Sequence, residues 1–213
     1  MGKQILPVKD KPVSSVDDLI AYLCLYLRSS PDGLEEHLKK IIGTIKIKKM
    51  DYLLKEGVVA NHIYFIKKGI LRCFYKKKDG TEVTAWVFQE PNVVVAANSF
   101  YKREKSFENI QAMVNTEVFF ISYDQLEELY LEYPVFERVG RLLTIEYLMF
   151  FSMQLFGLRM LSSAERFDLW YKDNSDLLLS VQQKLIASYL DMLPETFSRM
   201  KNRKNTGTRN KKK

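Results

Sequence analysis

Four segments in the first half of the chain alternate apolar and polar positions: Thr44–Lys49 (TIKIKK), His62–Lys67 (HIYFIK), Ile70–Tyr75 (ILRCFY) and Thr81–Phe88 (TEVTAWVF). A strand turns successive side chains to opposite faces, so this period of two predicts half-buried β-strands. Lys68-Gly69 separates the second run from the third. Lys78-Asp79-Gly80-Thr81 separates the third from the fourth, and Asp-Gly between two such runs is a strong hairpin signal. Further strands are predicted at Val93–Ala96, Glu108–Val114 and Glu117–Ile121, giving about seven or eight short strands. That number predicts an all-β sandwich or roll.

The texture on either side is helical. Val16–Arg28 and Leu34–Ile42 read as amphipathic helices broken by Ser29-Ser30-Pro31-Asp32-Gly33, and Tyr123–Tyr133 as a short helix leading to Pro134. Leu142–Leu161 is apolar nearly all round and long enough to span a bilayer. Glu146, Gln154 and Arg159 argue against a membrane, since a charged residue at such depth costs about 2.5–3.5 kcal/mol. A helix of this kind in a soluble protein must be buried on several sides. Leu142, Ile145, Met149, Met153 and Phe156 approach a 3,4 alternation, which predicts a seam against a second copy; a simple core helix is the alternative.

The segment Val181–Arg203, VQQKLIASYLDMLPETFSRMKNR, predicts two short helices joined by a tight turn. Leu185, Ile186 and Tyr189/Leu190 recur at helical spacing in the first, and Ala187 permits the close approach of a crossing helix. Asp191-Met192-Leu193 makes the turn, and Pro194 suits the first position of a new helix. There Phe197 and Met200 can point inward while Glu195, Arg199 and Asn202 share the outward face. Such a face can enter a DNA major groove, with Arg199 donating to guanine and Glu195 accepting from cytosine N4.

Charge placement strengthens that reading. Of the +7 net charge, eight basic residues and no acid fall between Arg199 and Lys213, leaving −1 for the rest of the chain. A basic stripe beginning on the second helix suits phosphate neutralisation, with Thr196, Lys201, Arg203 and Lys204 as the phosphate contacts. A disordered solubilising tail is the alternative for Thr206–Lys213.

Other chemistry is sparse. Cys24 and Cys73 have no CxxC or other ligand spacing, so buried free thiols are expected and no metal or iron–sulfur site is. His37 and His62 are the only histidines; a polar helix face and a strand start give them solvent-exposed or turn roles. No Ser/His/Asp grouping, phosphate-loop glycine run or framed carboxylate pair appears, so no enzyme and no cofactor is expected. MGKQILPVKDKP lacks the apolar run and cleavage site of a secretory signal, which predicts a cytoplasmic protein.

In this order of elements the chain resembles the Crp/Fnr family of bacterial transcription regulators over nearly its full length. The matching pieces are Leu54-Lys55-Glu56-Gly57 followed by Ile63-Tyr64-Phe65-Ile66-Lys67-Lys68-Gly69, then Thr116–Ser122, then Pro194-Glu195-Thr196-Phe197-Ser198-Arg199. The resemblance implies an α+β protein: an N-terminal cyclic-nucleotide-binding-type jelly roll flanked by helices (residues 1–133), a long central dimerisation helix (134–161) and a C-terminal helix-turn-helix domain with a basic tail (162–213).

The resemblance fails at the ligand pocket. Relatives that bind cyclic AMP carry an FGE-L motif and, about ten residues later, R-[ST]-A, whose Glu holds the ribose and whose Arg and amides hold the phosphate. Here Val95 stands for the glycine, Ala96 for the Glu, and Ser106-Phe107 for the Arg-Ser pair. A phosphate without its fixed counter-charge leaves desolvation uncompensated, so this pocket is degenerate for cyclic AMP. Arg103, Lys102 and Lys105 are the nearby substitutes. The turn also departs from the family: Leu193 stands where Ser or Thr commonly caps the second helix, and Asp191 replaces the usual glycine.

The expected function is therefore a homodimeric, sequence-specific DNA-binding regulator with double-stranded DNA, a second copy and RNA polymerase as partners. Its effector is an unidentified small molecule other than cyclic AMP, or there is none. The alternative is a ligand-binding or scaffold protein with a vestigial helix-turn-helix.

Overall fold

A computed structural model describes residues 13–209, with side chains described through Lys204. The outer part of the predicted tail, residues 210–213, lies outside the described residues. Eight strands form two four-stranded sheets, ordered β1-β8-β3-β6 and β2-β7-β4-β5, the jelly-roll arrangement expected. Their ranges are β1 Gly43–Ile47, β2 Tyr52–Leu54, β3 His62–Lys68, β4 Ile70–Lys76, β5 Glu82–Gln89, β6 Val93–Val94, β7 Asn109–Ala112 and β8 Thr116–Ser122. The helices are α1 Val16–Cys24, α2 Leu34–Ile41, α3 Ala97–Lys102, α4 Tyr123–Glu132, α5 Glu137–Met160, α6 Ser163–Asn174, α7 Gln183–Tyr189 and α8 Pro194–Arg209.

Two compact units partition the chain. One contains the residues up to Arg72 together with Phe88–Phe150; the other joins Cys73–Val87 to the chain from Phe151 onward.

In the first unit β3 is central to its sheet: Tyr64 pairs with Phe120 on one side and Val94 on the other, and Phe65 with Phe119 and Val93. This register places Ile66, Val94, Val118 and Phe119 in a core that excludes solvent almost completely. Gly69, at φ +119°, makes the bend after β3, and an added Cβ there would stand 2.8 Å from the Thr116 backbone. Leu34 and Leu38 of α2, Leu129 of α4 and Val139 of α5 close the unit by burying their apolar stripes. Ser15 and Ser122 begin α1 and α4 with capping boxes, each hydroxyl accepting from the amide three residues on.

Two hydroxyls tie α1 to α5. Tyr26 donates to a Glu146 carboxylate oxygen at 2.8 Å, and its own oxygen lies 2.6 Å from that of Tyr22. Because Tyr26 has one proton to give, Tyr22 is the donor to Tyr26. Burial holds the Tyr26 hydroxyl far above the ordinary tyrosine range, so this side chain stays neutral.

The second unit is built on aromatic packing. Phe197 of α8 is fully buried, edge-on to Phe167 at 5.3 Å and 6.1 Å from Trp170 on α6. Ile186 and Ala187 of α7 are likewise buried. On the 73–87 hairpin, Trp86 packs on Phe151 at 4.3 Å and the Thr84 amide donates to the Ser188 hydroxyl at 3.0 Å.

Several boundaries differ from the sequence expectations. The long helix begins at Glu137, because Pro134–Phe136 forms a 3-10 turn first. Strand β2 and helices α3 and α6 had no sequence counterpart. The predicted seam loses its first member, since Leu142 is buried within its own unit. Met149, Met153 and Phe156 are exposed, at 57%, 67% and 50%. Among the described residues no helix is long and apolar enough to cross a membrane.

Candidate nucleic-acid interface

The turn between α7 and α8 is held by main-chain and side-chain bonds. Asp191 adopts φ +49°, the left-handed geometry that asparagine and aspartate tolerate better than most residues. Met192 N–H donates to the Ala187 carbonyl at 3.0 Å and Phe197 N–H to that of Leu193 at 3.0 Å. Leu193 is exposed, and an apolar residue at this position supplies no side-chain acceptor to the first amides of α8. Such a loss costs about 1 kcal/mol.

Arg166 on α6 holds the other side of the turn, at the C-terminal end of α7. Its guanidinium donates to the carbonyls of Leu190 at 2.9 Å, Asp191 at 2.9 Å and Leu161 at 2.7 Å. Two of these charge-assisted bonds fix the turn against α6, and the third ties the same guanidinium to the residue before the Ser162 cap of α6. Sequence reasoning did not single out Arg166. The one available mark was Ser162-Ser163-Ala164-Glu165, a capping-box pattern that starts α6, with Glu165 held below the ordinary carboxylate range by its bonds to Ser162.

With Phe197 buried behind it, α8 turns the opposite side to solvent. Glu195, Ser198, Arg199, Asn202 and Arg203 line one shallow surface together with Pro194. Glu195, Arg199 and Asn202 are all exposed, as their i, i+4, i+7 spacing predicts. The predicted phosphate contacts are less uniform. Arg203 is exposed, Thr196 and Lys201 are half-buried, and the Lys204 ammonium pairs with Asp168 at 2.8 Å. The helix backbone continues to Arg209, so the first part of the predicted tail, Thr206–Arg209, is helical.

In the roll, Val95 lines a cavity outside the jelly-roll sheet, Ala96 is buried ahead of α3, and Phe107 is exposed. Ser106 spends its hydroxyl on its own loop, donating to the Glu108 carbonyl and accepting from the Glu108 amide, both at 3.0 Å. Its backbone is bonded to Gly57 and Val58. Arg103 is committed elsewhere: it donates to the Ala60 and Phe100 carbonyls and to the Asn61 side chain, above the Tyr123 ring at 4.3 Å. Glu108, two residues beyond Ser106, is a half-buried acid, and burial pushes its carboxyl up to about 7.

The histidines depart from their expected solvent roles. His37 is half-buried, pairs with Glu132 at 3.1 Å and packs on Tyr133; His62 is half-buried, edge-on to Phe120 at 5.1 Å, and its burial lowers its pKa. Cys73 is buried and Cys24 half-buried, both as free thiols. Among the described residues no three His, Cys, Asp or Glu side chains gather where they could hold a metal ion.

Comparison with known proteins accounts for this architecture. Residues 44–133 match the cyclic nucleotide-binding domain family. FixK2 from Bradyrhizobium japonicum superposes with a TM-score of 0.70 at 16% identity, covering 79% of this chain and 86% of its own. CLP from Xanthomonas campestris, a c-di-GMP-responsive global regulator, gives 0.63 at 15% identity over 84% of this chain and 93% of its own. A Crp/Fnr-family transcriptional regulator from Eubacterium rectale gives 0.64 at 16% identity, over 80% and 82% respectively. No curated protein sequence matches the chain. The fold is that of the Crp/Fnr transcription regulators. Its segment 44–133 is similar to the cyclic nucleotide-binding domain.

Proposed function

We propose that the chain is a homodimeric, sequence-specific DNA-binding transcription regulator whose effector is not cyclic AMP. The observation that carries this reading is the outward face of α8, where Glu195, Arg199 and Asn202 stand exposed on a helix anchored from behind by Phe197. Glu195 and Arg199 read base edges; Arg203, Thr196, Lys201 and Lys204 sit on phosphates, Lys204 exchanging Asp168 for a phosphate oxygen. The exposed side chains of Met149, Met153 and Phe156 on α5 form the seam with the second copy. Residues 1–133 hold the effector roll, 134–161 couple the two copies, and 162–213 read DNA.

The mechanism is a population shift. Two reading heads bind together only when their separation matches half-sites about one helical turn apart, roughly 34 Å, and the roll and α5 bias that orientation. Catalysis has no part in it.

Selection from random duplexes, followed by mobility shift of the enriched site at two salt concentrations, tests the proposal. An enriched two-fold-symmetric site, bound with a steep salt dependence, is the expected result. No enriched site, with equal and weak binding to all duplexes, replaces the regulator with a scaffold carrying a vestigial helix-turn-helix.

A further inference from the structure

The first unit contains a cavity of about 180 Å³ that takes in Val95 of the degenerate cyclic-nucleotide stretch but not Ala96, Ser106 or Phe107. Ile63, Phe65 and Ile121 form its floor on the sheet containing β3 and β8; Leu19 and Leu38 close it from α1 and α2; Leu143 closes it from α5. None of the 21 lining residues is charged. The polar groups are the hydroxyls of Tyr101, Tyr130, Tyr147 and Thr144. The Thr144 hydroxyl is spent on the Gly140 carbonyl at 2.8 Å. Gly140 is what lets Tyr130 close in, since a Cβ there would stand 2.2 Å from the Tyr130 hydroxyl. Tyr101 and Thr144 are exposed and mark the mouth.

We infer that this cavity is a binding site for a neutral, apolar small molecule of one- to two-ring size, reached past Tyr101 and Thr144. The size follows from volume: an apolar cavity of about 150 Å³ suffices to take up benzene. The chemistry follows from the walls. An ionised ligand would leave water for a chamber with no counter-ion and few free donors, which costs several kcal/mol without return, whereas an apolar ligand gains dispersion contacts and loses hydration. Burial raises the Tyr130 pKa, so its hydroxyl remains a neutral donor at ordinary pH. The proposed seam residues Met149, Met153 and Phe156 are not among its walls. Five residues of α5, Val139, Gly140, Leu143, Thr144 and Tyr147, line the site, so an occupant acts on the same helix that couples the two copies. In that respect the inference rests on the regulator reading and names the effector class; binding itself rests on the cavity alone.

Calorimetry and thermal shift on the full chain, with benzene and indole as probes and benzoate as the charged control, test the assignment. Saturable binding of one probe molecule per chain, a raised Tm, and at least tenfold weaker benzoate binding are expected. Ala97→Leu and Leu143→Phe, which add carbon to the walls, should each weaken indole by tenfold or more while Tm stays at or above that of the parent. Absence of saturable binding up to the solubility of both probes overturns the site. So does unchanged indole affinity in both filled variants. A mobility shift on the same preparation separates the two readings. Indole binding without any operator binding keeps the site and removes the regulator; operator binding without indole binding does the reverse.

Discussion

The Arg166 guanidinium and the Asp191 carbonyl are 2.9 Å apart, and through this bond α6 holds the one left-handed residue of the α7–α8 turn. The same fork bonds Leu190 and Leu161, so removing it leaves three main-chain acceptors to find new donors. Arg166→Met should destabilise the C-terminal unit by about 2–4 kcal/mol and weaken every duplex together, because the whole of α8 loses its mount. Arg166→Lys should recover only part of the loss, since an ammonium cannot fork. Urea unfolding of both variants checks this; equal stability of Arg166→Met and parent would refute it.

Arg199 should behave in the opposite way. Exposed on the face it shares with Glu195, it bears no structural load. Arg199→Ala should leave Tm unchanged, cost about 1–3 kcal/mol on the selected operator and relax preference at one base pair per half-site. Uniform weakening on all duplexes would reduce Arg199 to a phosphate contact.

Glu108 makes stability pH-dependent. Its folded pKa of about 7 lies above the ordinary 4.5, so between those values the folded state holds more proton than the unfolded state. Unfolding free energy therefore falls as pH rises through that window, and the penalty is complete above it. Glu108→Gln should be more stable than the parent at pH 8 by on the order of 1–3 kcal/mol, with the advantage vanishing near pH 4.5. An equal difference at both pH values would assign the effect to packing instead.

Assembly is open to a single substitution. Met153 is 67% exposed, so Met153→Glu should not disturb the fold of one chain, while two such carboxylates facing each other across a two-fold axis repel. Light scattering should show a dimer for the parent and a shift toward monomer for the variant. A parent that stays monomeric at micromolar concentration removes the coupling mechanism.

Cyclic AMP and cyclic GMP should leave Tm unmoved at physiological concentration. Arg103 is bound to Ala60, Phe100 and Asn61, and Ser106 to Glu108, so neither offers a phosphate an uncommitted side chain. Micromolar affinity in calorimetry would contradict this account.

Periodicity located the elements better than it did their burial: β4, read as half-buried, is buried on both faces from Ile70 to Phe74. Strands β3, β4 and β5 lie within a residue or two of their alternating runs, and Phe197 is buried while Arg199 is exposed, as helical spacing required. Features set by contacts distant in sequence were not legible. Arg166 looks like any surface arginine until Leu190 and Asp191, some twenty-five residues on, are seen beside it. Strand β2, three residues long, has too few positions to show a period and is defined by pairing with β7. Leu142 fits a heptad seam by spacing, yet its own unit covers it. The cavity near Val95 arises from α1, α2, α4 and α5 converging on one sheet, which no local pattern encodes.

Sixteen residues make α8 a rod about 24 Å long, twice the roughly 12 Å width of a B-DNA major groove. On the proposed reading, entering by its N-terminal end brings only its first two turns within reach of base edges, and the distal half stands at the height of the phosphates. Grip and spelling are thereby separated along one helix. Shortening or recharging its far end changes residence time on any duplex, while the preferred site stays with Glu195 and Arg199.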